Sequence, residues 1–354
     1  MPALFQNMPP PEQAVWDEYI SGNGTAIFSH RYGWGEILAS TYRLPIFRLV
    51  SPGKAGNGKI SGLLPLVLFE PPGRDRRLIS LPYTDAAGIV ADDAQAHDLL
   101  LVAALELANQ VGAVHVELRQ TGKDAFRAPS REVNACWQHT AHTFKTGLLR
   151  PLPESPVVLW SQLPAKVRNQ VRKARNCACT AQVGGSELFA AFFAVFSENM
   201  RDLGSPVHDP ELFRRLLADS SLHARVLVVF IGIVPVAAAI VFRHNATLFN
   251  PYASSLRRWR PACPNMLLYW TMMEHGTETG CRWFDFGRSS PNASTCRFKR
   301  QWGAEMQPLV WHVFSRKPSV WNPESECLVH QAWKTMELQA SRRDGPAIRR
   351  WISL

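Results

Sequence analysis

The feature that most constrains this chain is that its two halves run through one order of elements. In the first half, a helical entry at FSHRYGWGEIL (Phe28 to Leu38) leads to IFRLVS, a Gly-rich turn PGKAGNGK, ISGLLPLVLF and then LISLPY with a loop. A helix, DLLLVAALELANQVG (Asp98 to Gly112), and a strand, AVHVELR, close that half. In the second half, the helix FFAVFSENMRDLG leads to RVLVVF, a turn at IGIV, PVAAAIVFR, TLFNPYAS and a basic loop. The helix NMLLYWTMMEHGTETG (Asn265 to Gly280) and the strand CRWFDFG follow. Both halves read helix, hairpin, third strand, loop, helix ending in Gly, final strand. The glycines at 112 and 280 suit left-handed helix C-caps. Two α+β units of like order explain this better than one large domain.

The order settles an ambiguity. Val226 to Phe242 is a 17-residue run without charge, borderline for a membrane helix. Gly232 and Pro235 interrupt it, and its flanks are two β-branched runs, so it reads as a buried hairpin. The N-terminus has neither a basic nor an apolar leader region, so no signal peptide is expected. Seven cysteines without a C-x-x-C pair read as free thiols of a reducing cytoplasm, and no zinc-ligand spacing occurs. The net charge of +10 favours anionic partners.

Four stretches are candidates for chemistry. Lys166, Arg168, Arg172, Lys173 and Arg175 put five cations into ten residues. At helical spacing Arg168, Arg172 and Arg175 share a face opposite Val167, Val171 and Ala174. That face is either solvated or a phosphate clamp. Arg201-Asp202 ends an aromatic-rich helix, where a cation also complements the helix dipole. Asn250-Pro251-Tyr252 ends a strand, and LRRWRPACP leads to Asn265, which can cap the next helix and leave its first N–H groups facing an anion. Finally, FDFGRSSPNASTCRFKRQWGAE (Phe284 to Glu305) sets Asp285 in a strand with Arg288 as its near partner, then runs through a polar loop to Phe298-Lys299. No G-x-S-x-G elbow, H-E-x-x-H or P-loop occurs. An amine attacking an activated ester needs no protein nucleophile, only orientation and charge stabilisation.

In LPAKVRNQVRKARN (Leu163 to Asn176), MRDLGSPVHDPELF, NPYASSLRRWRPACPNMLLYW and FDFGRS with FKRQWG, the chain resembles tandem GNAT units of the FemAB family. It is most similar to the FemAB-like proteins that accompany exosortase/PEP-CTERM exopolysaccharide systems. The resemblance spans roughly residues 25–315. It implies an α+β fold of two GNAT-like units with mixed sheets. It also implies an acyl- or aminoacyltransferase acting on an amine of a cell-envelope or exopolysaccharide precursor, with acyl-CoA or aminoacyl-tRNA as donor and no firmly implied cofactor. By the same resemblance Lys299 stabilises the oxyanion, and Arg168, Arg172, Lys173 and Arg201 hold phosphate. Tyr252 and Asn265 then line the donor site, with Arg288 and Phe298 beside it. Asp85, in LPYTDAAG, is the candidate proton acceptor. One departure matters: residues 256–264 contain two prolines and no glycine. The glycine loop with which acetyl-CoA enzymes cradle pyrophosphate is therefore missing.

The expected organisation is a first unit over 1–125, a connector with strands TGLLRPL and PVVLW over 126–165, a second unit over 166–316 and a tail over 317–354. The protein is expected in the cytoplasm, without a transmembrane segment. Its basic end SRRDGPAIRRW is expected to be solvated or to lie on anionic lipid. An acyl-CoA N-acyltransferase, a basic nucleic-acid-binding protein and a non-catalytic scaffold stay open as alternatives.

Overall fold

The computed structural model describes residues 12–53, 60–122, 136–317 and 330–353. The N-terminal segment through residue 11, most of the PGKAGNGK turn, residues 123–135 and the tail over 318–329 lie outside them. The described residues group into two compact units. One is drawn from 1–145, 307–323 and 353–354, the other from 146–306 and 324–352.

The first unit contains α1 (Gln13–Gly22), α2 (Tyr32–Tyr42), β1 (Ile46–Pro52), β2 (Ile60–Phe69), β3 (Arg77–Ile79), β4 (Val90–Ala91), α3 (Ala94–Gln110), β5 (His115–Thr121) and β6 (Gln138–His142). β1 and β2 form an antiparallel hairpin, and β3 pairs with β2 antiparallel and with β5 in parallel. α3 buries Leu100, Leu101 and Ala104 with Leu64, Val116 and Leu118. This is the helix-on-sheet packing that the apolar runs require.

The second unit contains β7 (Thr146–Pro151), α4 (Pro156–Gln162), α5 (Ala165–Asn176), β8 (Cys179–Gly184), α6 (Phe189–Leu203), α7 (Pro210–Ala218), β9 (Arg225–Ile231), β10 (Val234–His244), β11 (Thr247–Ser255), α8 (Pro264–Glu278), β12 (Trp283–Asp285) and α9 (Ser294–Arg300). Its sheet pairs β7 with β12, β12 with β11 in parallel, and then β10, β9 and β8 in antiparallel succession. β13 (Glu305–Ser315) follows in sequence, yet its residues from Leu309 on pair with β5 and β6 of the first unit. α10 (His330–Lys334) and α11 (Leu338–Arg349) belong to the second.

The duplicated plan is visible in hydrogen bonds. In the first unit Arg77, Leu78 and Ile79 pair in parallel with His115, Val116 and Glu117. In the second, Thr247, Leu248 and Phe249 pair in parallel with Trp283, Phe284 and Asp285. The crossover helices α3 and α8 end alike, with Gly112 at φ +69 and Gly280 at φ +77. Ala113 N–H reaches Ala108 O and Cys281 N–H reaches Gly276 O, each at 2.8 Å. Glycine carries this left-handed residue without a Cβ clash. The run Val226 to Phe242 is the β9–β10 hairpin, turning at Gly232 with φ +59. No helix among the described residues is long and apolar enough to cross a membrane.

Three local expectations need correction. PVVLW is not a strand but the body of α4: Ser155 Oγ accepts Val158 N–H at 3.3 Å and Pro156 starts the helix. Cap and proline outweigh β-branched propensity. The polar loop after Gly287 does not run through to Phe298-Lys299, because Ser294 to Arg300 forms α9. The basic end is not a solvated segment either. It forms α11, where Arg342 donates to Ser197 Oγ at 2.8 Å and Arg349 Nε to His208 Nε2 at 3.0 Å, with Arg349 itself buried.

Candidate active site at a strand divergence

In the second unit β11 and β12 stay paired for only three residues. Past Phe249, β11 remains with β10. Past Asp285, the chain continues along β7, with Phe286 N–H on Leu148 O and Ser289 exchanging both bonds with Thr146. The two strands thus part at Asn250 and Phe286. β11 also bulges at the same place. Ile240 pairs with Tyr252 and Phe242 with Phe249, so Val241 alone opposes Asn250 and Pro251. Proline has no N–H to give to a ladder, which suits a bulge.

The pairing register decides which way the side chains face. Ala239 and Ala253 are direct partners, and both pack into the core formed with α8. Asn250, opposite Val241, falls on that same face. Tyr269 of α8 stacks on Phe286 with centroids 5.5 Å apart and meets Phe298 edge-on at 5.0 Å. Trp302 lies 6.2 Å from Tyr269. Burial raises the Tyr269 hydroxyl to about 12, against a smaller opposing effect of the adjacent Asn250 amide. This tyrosine is therefore a neutral hydrogen-bonding group near pH 7.

Lys299 is buried on α9 and donates to Gly287 O at 3.1 Å and Arg288 O at 2.8 Å. Asp285 Oδ1 accepts Gly287 N–H at 2.7 Å, and Gly287 sits at φ +70. Together they lock the turn that carries the chain away from β11.

The remaining candidates fall as follows. Phe298 is in the aromatic wall, and Arg288 is in the locked turn. Tyr252 faces the opposite side of the sheet, among Phe196, Phe213 and Phe242 with centroids at 6.0, 5.1 and 6.4 Å. Asn265 is inside α8 rather than at its cap: Cys263 is the N-cap, at φ +57, and no side chain caps the helix. Ahead of it, Arg257 to Ala262 form a 3-10 turn, and Arg258 is ion-paired with Glu198. No glycine loop stands there. Arg201 is engaged with Asp202 at 2.7 Å.

Arg168, Arg172 and Lys173 lie on α5, whose Val167, Val171 and Ala174 are buried in the core shared with α8. Arg168 donates to Ser161 O at 3.2 Å, and Arg172 lies 5.5 Å from the Trp160 ring. None of these three pairs with a carboxylate among the described residues; Arg172 and Lys173 are exposed and Arg168 is half-buried. Asp85 belongs to the first unit, where its backbone carbonyl accepts Trp311 Nε1–H at 3.3 Å.

The first unit treats its own divergence differently. Past the β3–β5 pairing, Arg119 is fully buried and bonds Glu117 at 2.7 Å, Thr84 O at 2.8 Å and Ser353 O at 3.0 Å, with Trp311 against its guanidinium. That space is occupied by the chain's own groups. Sequence reasoning placed Asn250 in a candidate stretch without giving it a role, and passed over Tyr269. The bulge signal, Asn-Pro within a strand, was the clue available. No three-residue acidic, His or Cys cluster suited to a metal occurs among the described residues, and the six described cysteines are free.

Residues 165–300, within the second unit, match the family model of the acetyltransferase (GNAT) domain. No curated protein matches the sequence. Among solved structures the chain is similar to FemX, at 14% identity over 85% of this chain and 95% of that one, with a TM-score of 0.67. It is also similar to L-PGS from Bacillus licheniformis, at 10% identity over 99% of both chains, with a TM-score of 0.57. The C-terminal domain of a lysylphosphatidylglycerol synthetase from Agrobacterium fabrum matches at 13% identity over 79% of this chain and 86% of that one, with a TM-score of 0.53. At such identities the likeness shows the fold. That fold is mixed α+β, with tandem GNAT-like units.

Proposed function

We propose that this protein is a FemAB-like transferase that moves an acyl or aminoacyl group onto an amine, using the divergence of β11 and β12. The observation that carries this reading is the coincidence, at Asn250 and Phe286, of a strand split, a β-bulge, an aromatic wall and a turn locked by Lys299. Such a split admits an extended acyl donor between two strands whose backbone groups are no longer paired with each other. The substrate amine attacks the acyl carbon directly, so orientation and electrostatics supply the rate. In this reading Lys299, bonded to Gly287 O and Arg288 O, holds the turn that opens the site.

An aminoacyl donor fits better than acetyl-CoA. The turn from Arg257 to Ala262 leaves no glycine loop to wrap a pyrophosphate, and lysylphosphatidylglycerol synthetase names an aminoacylated product. The outward cations of α5 then bind the phosphates of a tRNA or nucleotide-linked substrate. The acceptor is an amine of an envelope or exopolysaccharide precursor, in line with the exosortase-associated proteins that the sequence resembles. The acetyltransferase family match keeps acyl-CoA as the second reading.

Thermal melting across coenzyme A, acetyl-CoA, charged tRNA and nucleotide sugars tests this, since a ligand of the native state raises Tm. A shift with charged tRNA or a nucleotide sugar but not coenzyme A is expected. A shift with coenzyme A alone would overturn the donor assignment.

A further inference from the structure

We propose that Asn250 is a catalytic residue of this site, its side-chain amide donating to the carbonyl oxygen of the transferred acyl group. The proposal rests on the transferase reading above and gives a role to a residue that the sequence places only at the end of a strand.

Asn250 is only 4% exposed; its amide lies beside the Tyr269 hydroxyl, but neither Nδ2 nor Oδ1 makes a hydrogen bond of good geometry among the described residues. Nine in ten buried polar groups or more find a partner, and those that do not call for an explanation. The Tyr269 hydroxyl is the group that interacts with it. Even a small rotation toward it would satisfy one of the amide's four hydrogen-bonding positions and leave the others open. Trp302 repeats the pattern beside it: its ring is fully buried near Tyr269, and its Nε1 also has no partner. Two orphaned polar groups therefore flank one aromatic wall at the point where the strands separate.

The chemistry of these groups selects the ligand. The described contacts of this wall are aromatic; Lys299 is engaged with two carbonyls, and the buried Arg150 lies against Gly303. A carboxamide and an indole N–H, set among Tyr269, Phe286 and Phe298, suit a neutral carbonyl whose oxygen gains charge only during reaction. The amine lone pair attacks the carbonyl carbon and a C–N bond forms. The C=O π pair moves onto oxygen, where Nδ2–H of Asn250 donates to it. When C=O re-forms, the bond to the leaving oxygen or sulfur breaks, and the amine's surplus proton ends on that leaving group. A dry, preorganised donor of this kind strengthens as charge develops. Lys299 is less suited, because its ammonium already serves two backbone carbonyls.

A catalytic amide left unpaired in the free protein has a signature that a structural asparagine lacks. Asn250→Leu, close in volume, should melt higher than the wild type without ligand, because an orphaned buried amide has been removed. The same variant should lose about 10²-fold or more in kcat with KM little changed, the loss seen for a deleted oxyanion donor. Turnover is measured with acetyl-CoA and with aminoacyl-tRNA, using hydroxylamine as the small amine. Asn250→Ala, which cannot clash, should lose kcat equally and keeps the test valid if the leucine variant misfolds. A lower Tm for a folded Asn250→Leu, or a kcat equal to wild type in either variant, overturns the assignment. A wild-type protein that turns over neither donor overturns the transferase reading itself and the oxyanion role with it. The ligand-free melt then decides separately whether the amide is unpaired.

Discussion

Lys299 Nζ lies 2.8 Å from the backbone carbonyl of Arg288, eleven residues earlier in the chain. A second bond, to Gly287 O, makes the ammonium a clamp across the turn that opens the sheet. Replacing it with methionine keeps the length and the apolar stem but leaves two carbonyls without a charged donor. We expect Lys299→Met to destabilise by about 2–6 kcal/mol, at about 1–3 kcal/mol for each of the two unsatisfied carbonyls. Chemical denaturation measures it. Stability within about 0.5 kcal/mol of wild type would return Lys299 to direct catalysis.

Arg119 and Glu117 form a fully buried pair in the first unit. Removing one member strands the other charge. Arg119→Met should therefore cost about 3–5 kcal/mol, the usual penalty for breaking a buried pair. The unfolding midpoint of the purified variant reports it.

The α5 cations should act on affinity and not on stability. Reversing Arg168, Arg172 and Lys173 to glutamate leaves the buried Val167, Val171 and Ala174 in place. Tm should move little. Affinity for charged tRNA should drop and its dependence on salt should flatten, because three phosphate neutralisations are lost. Filter binding at several salt concentrations checks both.

His30 is fully buried, with Nδ1 accepting Ile27 N–H and Nε2 against Gly88 O. Burial pushes its pKa down to about 4. The folded state thus resists protonation that the unfolded chain accepts near pH 6.5, so the unfolded state binds more protons in between. Stability present above pH 6.5 falls as pH drops toward 4, by on the order of 3 kcal/mol from this group. His208 and His312 are depressed too and add in the same direction. Urea titrations from pH 7 to 4 should show this decline, and His30→Gln should make it shallower.

Ser155→Ala tests the local correction. The serine caps α4 through Val158 N–H, so its loss should cost about 1 kcal/mol.

The repeated element order, the β9–β10 hairpin and the glycines at 112 and 280 were legible in the chain itself. Hydrophobic period, turn residues and left-handed caps are local properties, and two copies of one pattern reinforce each other. The basic face of α5 was legible for the same reason. Tyr252 and Asn265 show where this stops. A strand's period-two alternation says that neighbours oppose one another, but not which face meets α8. The bulge at Asn250-Pro251 and the β10 register decided that, and they set Asn250 where Tyr252 was expected. Lys299 was conspicuous as a cation after an aromatic, yet its partners are carbonyls of a distant turn. The PVVLW run is a helix because a cap and a proline outweigh side-chain propensity. Sequence alone determined which elements exist and in what order. Only the tertiary structure decided which side chains share the opening between β11 and β12, because that depends on pairing register and on where two strands stop bonding to each other.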